Sequence, residues 1–342
     1  MAGQAEDRVI GPFRADRSAR VKQRRFILFL VFESTPTNAI EFCEALSEVC
    51  LESSAIFLDH ASEYPVGSDP EAAWLIDLTY WKDSLASDEP GKWITEIVAT
   101  YVGEAACQVR AIGSLLLSDV VPASIDLLVR GALERSGRVI WVLDNSVFVG
   151  TKVRAARAAL ELGVSYQNYR EALHLLGADS VARQDVKDRD VLLRESILKW
   201  FAPIRPPNDP CNPKSRPTKD MTRWEAEGQK YPTNTAIAEI AGTRCGLTKE
   251  QAAGAYAGLC GYSHPSVVFA RENRGVGSLG LPQFEYRAND LQKTVRMAVL
   301  TYLEALRHCA SYFESGLDRL DQAIEPIHRR IDELAVLSAP DQ

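Results

Sequence analysis

The chain has 342 residues, 46% of them hydrophobic and 25% charged, the balance of an ordinary water-soluble globular protein. A net charge of −7 argues against nucleic acid as a default partner. Seven cysteines, an odd number with no CxxC pair, argue against a zinc site or a disulfide frame and for a reducing cytoplasm.

The charge is unevenly spread. Residues 1–25 carry seven Arg and Lys against Glu6, Asp7 and Asp16, which is seven minus three, or +4, and leaves −11 for the rest. This arm reads as a disordered, solvated N-terminus or as an electrostatic tether to a partner. RRFILFLVF (24–32) joins basic residues to an apolar run, but Glu33 follows at once and no small-residue cleavage site is present, so export is not expected. No stretch reaches the ~18–20 apolar residues of a membrane span, and a cytoplasmic location is expected.

Helical punctuation then dominates. Asn38 caps a predicted helix through Ile40, Cys43, Leu46, Cys50 and Ile56. Asp69-Pro70-Glu71 is a start signal for a second, and a third runs from about 90 to 118 with Trp93, Ile97, Tyr101, Val109 and Ile112 on one stripe. Pro122 opens a fourth, a fifth spans about 150–176 and a sixth about 181–201. Six prolines between residues 202 and 217 then forbid helix or central strand. Beyond them Asn234 caps a short helix, and Thr248-Lys-Glu-Gln251 is a capping box opening another that ends near Tyr262. RENRGVGSLGLPQ (271–283) suits a loop or small hairpin, and two last helices, 288–315 and 317–337, are parted by Gly316 as a C-cap. FILFLVF and VVFA alone offer strands of their own. The expectation is an all-α multi-helix bundle with a Pro-rich irregular excursion and little or no β structure. In it residues 26–201 form the bundle, 202–233 cross it, 234–337 complete it and 338–342 trail.

The fourth predicted helix is apolar nearly all round, which places it centrally, yet Arg130, Glu134 and Arg138 recur on it at i, i+4, i+8. The stripe is either an internal ion pair fixing helix register or a pocket where Arg holds an anion and Glu orients it or moves a proton. Arg138 and Arg157 join it as candidate ligand contacts. In the fifth, Glu171-Ala-Leu-His174 has the E-x-x-H spacing of bundle di-iron sites, but the chain has no second E-x-x-H, so no metal ligand is assigned. Nucleotide, nucleophile-elbow and zincin motifs are absent and no cofactor is implied. In CGYSHPS (260–266), Pro265 ends the helix at His264, whose imidazole feels the negative end of the helix dipole. Tyr256 and Tyr262 add polar-tipped aromatics as further candidate ligand contacts. Gly254, Gly258 and Gly261, with Ala253, Ala255 and Ala257, form a small face that can admit a close helix neighbour.

Taken together, LLVRGALERSGRVIWVLD (127–144), KVRAARAALELGVSYQNY (152–169) and AYAGLCGYSHPS (255–266) resemble a group of uncharacterised actinobacterial helical proteins. The resemblance extends to the broader DUF5677-like families, likened to HEPN-type helical domains, and covers roughly 120–270. It implies that Arg130, Glu134 and His264 meet in one cleft, as Arg and His do in metal-independent HEPN ribonucleases. The chain departs from their R-x(4–6)-H motif, since Arg170 and His174 stand as R-x-x-x-H. Three functional expectations follow. The first is a pocket for an anionic or phosphate-bearing ligand, with Arg130 as clamp, Glu134 as orienter or base and His264 as general acid/base, extending to ribonuclease activity. The second is a non-enzymatic helical interaction or scaffold module in a stress or defence system, able to form a homo-oligomer or bind another protein. The third is a metal-dependent helical oxygenase using Glu171 and His174.

Overall fold

The computed structural model describes residues 29–31, 39–61, 73–85, 89–118, 123–144, 146, 149–201, 220–263, 274–276 and 282–337. The basic arm, the caps expected at Asn38 and Asp69, the Pro-rich segment, VVFA, His264 and the C-terminal tail lie outside these residues, as does the side chain of Tyr262.

Ten helices appear among the described residues, in keeping with the all-α expectation. They are α1 (Ala39–Ala61), α2 (Ala73–Leu85), α3 (Glu89–Leu116), α4 (Ala123–Leu143), α5 (Thr151–Leu175), α6 (Ser180–Trp200), α7 (Asn234–Arg244), α8 (Lys249–Ser263), α9 (Ala288–Phe313) and α10 (Leu317–Leu337). β1 (Phe29–Val31), inside FILFLVF, pairs in parallel with β5 (Pro282–Arg287), and β5 pairs antiparallel with β4 (Arg274–Val276). The expected small hairpin around 271–283 therefore supplies two strands of a three-stranded sheet. A second hairpin, β2 (Glu225–Ala226) and β3 (Gln229–Lys230), turns through Glu227 at φ 49° and Gly228 at φ 70°, the two-residue turn that matches strand twist. No helix among the described residues is long and apolar enough to cross a membrane.

α4 is the axis. It packs against α3, α9, α7, α8 and α5, and from Ser136 to Leu143 every residue is buried. α1 and α3 lie side by side, α9 closes the core against α4 and α3, and α10 covers α1 and α9. One apolar cluster runs through these helices, with Leu133, Ile140, Leu143, Tyr302 and Tyr312 almost wholly enclosed. Burying each such side chain contributes about 1.5–3 kcal/mol. Cys43, Cys50 and Cys309 belong to it; burial pushes the Cys43 and Cys50 thiols up to about 11 and about 12. Cys107 is exposed.

Several helix ends follow the sequence signals and two do not. Thr248 and Gln251 make the capping box in both directions: the Thr248 N–H donates to Gln251 Oε1 at 2.9 Å and the Gln251 N–H to Thr248 Oγ1 at 3.2 Å. The cap of α7 is Thr233, whose Oγ1 accepts from the Ala236 N–H at 3.2 Å, not Asn234, whose Oδ1 accepts from Arg138. α9 stops at Glu314, at φ 49°, where the Ser315 N–H returns to the Ala310 carbonyl at 3.0 Å; Gly316 comes two residues later.

The small face of α8 also differs from expectation. A Cβ at Gly254 or Gly258 would meet nothing within 4 Å, so neither glycine seats a neighbouring helix. Close approach occurs at Gly137 of α4, where a Cβ would stand 2.6 Å from Ile237 Cγ2 and 3.0 Å from the Ile237 carbonyl oxygen. Gly137→Ala is thus expected to destabilise the chain by about 1–3 kcal/mol by pushing α7 outward. Gly254→Ala, on an exposed helical face, is expected to stabilise it by about 0.5–1 kcal/mol. Urea denaturation measures both; shifts of the same sign would contradict the seating of α7 on α4.

Candidate functional site

The polar stripe of α4 divides between two neighbours. Arg130 and Glu134 keep each other, Nε to Oε1 at 2.8 Å, and the Tyr256 hydroxyl of α8 donates to the same Oε1 at 2.5 Å. The Arg130 guanidinium lies 5.6 Å from the Tyr256 ring centre. Burial first, and then the bond to Glu134, push the Tyr256 phenol well above its ordinary range, so it stays a donor at neutral pH.

One turn further on, Arg138 turns to α5. Its Nη1 lies 3.2 Å from Glu161 Oε2, its Nη2 donates to Asn234 Oδ1 at 2.7 Å, and its guanidinium sits 4.2 Å from the Tyr231 ring centre. The Tyr101 hydroxyl of α3 donates to Glu161 Oε1 at 2.6 Å, and Tyr231 bonds the same carboxylate. Burial and the Glu161 charge hold both phenols well above the usual tyrosine range. Arg138 is therefore a buried, internal tie between α4, α5 and α7.

Arg157 has the same fate. It donates to the Trp141 carbonyl at 2.6 Å and to Gln229 Oε1 at 2.9 Å, and lies 3.5 Å from Asp144. Nearby, Arg154 holds Asp77 of α2 through both Nε and Nη2, at 2.8 and 2.7 Å, while the Tyr312 hydroxyl of α9 donates to Asp77 Oδ2 at 2.9 Å. Asp77 is fully buried. Arginine, carboxylate and tyrosine thus recur three times, the guanidinium supplying charge and the phenol filling a remaining lone pair. Asp77, Glu161, Tyr231 and Tyr312 were not singled out from the sequence, and Tyr101 was read only as part of an apolar stripe, because the partner of each lies on another element.

Of the predicted catalytic group, Arg130 and Glu134 stand together, joined by the candidate ligand contact Tyr256; His264 and the side chain of the other candidate contact, Tyr262, lie outside the described residues. Glu171 and His174 both stand exposed on α5, and no group of three or more His, Cys, Asp and Glu suited to a metal is gathered among the described residues. Arg170 reaches the buried Asp190 of α6 at 2.5 Å, and Arg194 reaches the same carboxylate at 2.8 Å. The open face of α8 borders a cavity of about 460 Å³ against α9, lined by Ala255, Gly258, Leu259, Met297 and Leu300.

A second feature lies away from the stripe. α5 is buried from Arg154 to Val164 except at the half-buried Leu162 and then largely emerges, and α6 packs chiefly along α5. Val186, Asp190, Leu193, Ile197 and Trp200 form its inward stripe. Near its C-terminal end α6 meets the bundle, with Trp200 5.3 Å from Trp93 and Arg194 5.6 Å from Trp224. The two helices make an arm. Gly177, at φ 66°, lets the chain reverse at its tip, where the Ala178 N–H returns to the Leu173 carbonyl at 3.0 Å. Around that turn Leu175, Leu176 and Val181 are 85%, 81% and 77% exposed, and Val191, Leu192 and Leu198 lie exposed on the outer side of α6. The sequence signal was present, as apolar residues beyond those the inward stripe requires.

The burial difference among the networks predicts an order of stability losses. Asp77→Ala strands the Arg154 charge in the core and is expected to cost about 3–5 kcal/mol. Glu134→Ala, beside a half-exposed Arg130, is expected to cost about 1–2 kcal/mol. Chemical denaturation checks both, and an equal loss would contradict the ranking.

No protein-family model matches the chain, and no curated protein or solved structure matches it either.

Proposed function

We propose that the chain is a helical interaction module that associates with a second copy of itself through the α5–α6 arm. The observation that carries this reading is the exposure of Leu175, Leu176 and Val181 together at the arm's tip. Three large aliphatic side chains gathered in water are the mark of a surface that is covered in use. Charge supports a copy of the same chain as the cover. Between residues 165 and 201, six Arg and Lys (170, 183, 187, 189, 194, 199) face six Asp and Glu (171, 179, 185, 188, 190, 195), so the arm is neutral in a chain of net charge −7. Two arms can therefore meet without the repulsion that the remaining surfaces impose, and alternating signs suit a two-fold, self-complementary contact. The candidate stripe supports the same reading from the other side: Arg130, Arg138 and Arg157 each already have an internal carboxylate.

A second reading keeps the cleft for an anionic or phosphate-bearing ligand, with Arg130, Glu134 and His264 acting as in a metal-independent ribonuclease. One observation favours it. The Arg130 and Glu134 side chains each retain 23% exposure, against 6% and 4% for Arg138 and Glu161, so a ligand can reach the first pair.

Light scattering after gel filtration is expected to give twice the chain mass for the native protein. Leu176→Glu with Val181→Glu is expected to give a monomer of unchanged helicity. A native protein that is monomeric at every concentration would overturn the first reading. For the second, single-stranded RNA in EDTA is expected to be cleaved by the native chain and spared by His264→Ala; RNA left intact by the native chain discards it.

A further inference from the structure

Where α5 leaves the bundle, a cavity of about 280 Å³ opens between α3 and α5, lined by Glu96, Ile97, Thr100, Tyr101, Leu162, Ser165, Tyr166 and Tyr169. Its makeup is unusual for a surface groove. Three of its walls are tyrosines, its apolar floor is Ile97 and Leu162, and its one charged lining residue is a carboxylate.

The rings are held. The Tyr101 hydroxyl donates to Glu161 at 2.6 Å and accepts from Ser165, so both its polar functions are used and its ring, not its hydroxyl, is offered to the cavity. The Tyr166 hydroxyl meets Arg189, whose charge is balanced by Asp185 at 3.1 Å. Tyr169 is 54% exposed and stands at the rim. Glu96 is exposed, and among the described residues no cation pairs with it.

We propose that this cavity binds a methylated ammonium group. Aromatic faces attract a cation through their ring quadrupoles, and methylation lets the cation leave water with little loss of hydrogen bonding. Several rings around one small space, with a carboxylate at the edge, meet both needs. An anion would face Glu96 and three electron-rich rings. A neutral apolar ligand would fill the space but leave the Glu96 charge unused. The volume points to a small headgroup, lying just below the ~300–1,000 Å³ of pockets that take drug-sized ligands.

The test uses the full chain and isothermal titration with choline, with trimethyllysine, and with 3,3-dimethyl-1-butanol, the uncharged isostere of choline. Saturable binding of a trimethylammonium compound, about tenfold or more tighter than the isostere, is expected. Tighter binding of choline places the group on a free small molecule; tighter binding of trimethyllysine places it on a side chain. Tyr169→Ala is expected to abolish binding, and Glu96→Gln to weaken the cations several-fold while leaving the isostere unchanged. Both positions are exposed, so these variants keep the fold, which circular dichroism checks. Equal affinity for cation and isostere would reduce the cavity to an apolar slot and overturn the proposal, as would no binding of any of the three.

Discussion

The buried pair of Arg138 and Glu161 is the constraint on which the bundle turns. It lies where α4 is enclosed on every side, and its hydrogen bonds reach α3 through Tyr101, α7 through Asn234 and the segment before α7 through Tyr231. Two charges so deep are expensive to desolvate, and their attraction offsets that cost only when the remaining donors and acceptors are filled. Here a tyrosine, an asparagine and a second tyrosine fill them. The pair fixes which turn of α4 faces which turn of α5, a register that the surrounding Val, Ile and Ala side chains alone would leave less sharply defined.

Repetition of the same chemistry explains why the stripe on α4 serves architecture. Arg154 with Asp77 and Tyr312 joins α5, α2 and α9; Arg130 with Glu134 and Tyr256 joins α4 to α8. In each set the phenol remains protonated, because burial and the neighbouring carboxylate both oppose its ionisation. In the proposed reading, recognition falls to the parts the frame leaves outside: the apolar arm tip and the tyrosine-lined cavity at the arm's root. These share α5, whose first half is locked into the core and whose second half projects from it.

Much of this was legible in the sequence. An all-round apolar pattern in 123–143 located the central helix, i,i+4 spacing identified the Arg130–Glu134 pair, and Thr248 with Gln251 marked the start of α8. The partner of Arg138 was not legible, because Glu161 sits on another helix and no local spacing connects them. Asn234 was read as a cap by residue type; Thr233, one position earlier, has the extended backbone that a cap requires, and that freed Asn234 for Arg138. The glycines of α8 looked like a packing face, but a glycine marks only where a neighbour can come close, and here the neighbour came to Gly137. Leu175, Leu176 and Val181 left a trace, being apolar residues beyond those an inward stripe requires, but apolar periodicity does not say how far a helix runs beyond its core.

The central claim is that the arginine stripe is a structural frame, and a double-mutant cycle on Arg138 and Glu161 tests it most directly. Arg138→Met and Glu161→Leu would be compared with the double variant by chemical denaturation. The account predicts that each single variant loses several kcal/mol by stranding its partner, while the double variant recovers a large part, with a coupling of about 2–3 kcal/mol. Losses that simply add, or an Arg138 variant as stable as the native chain, would contradict it.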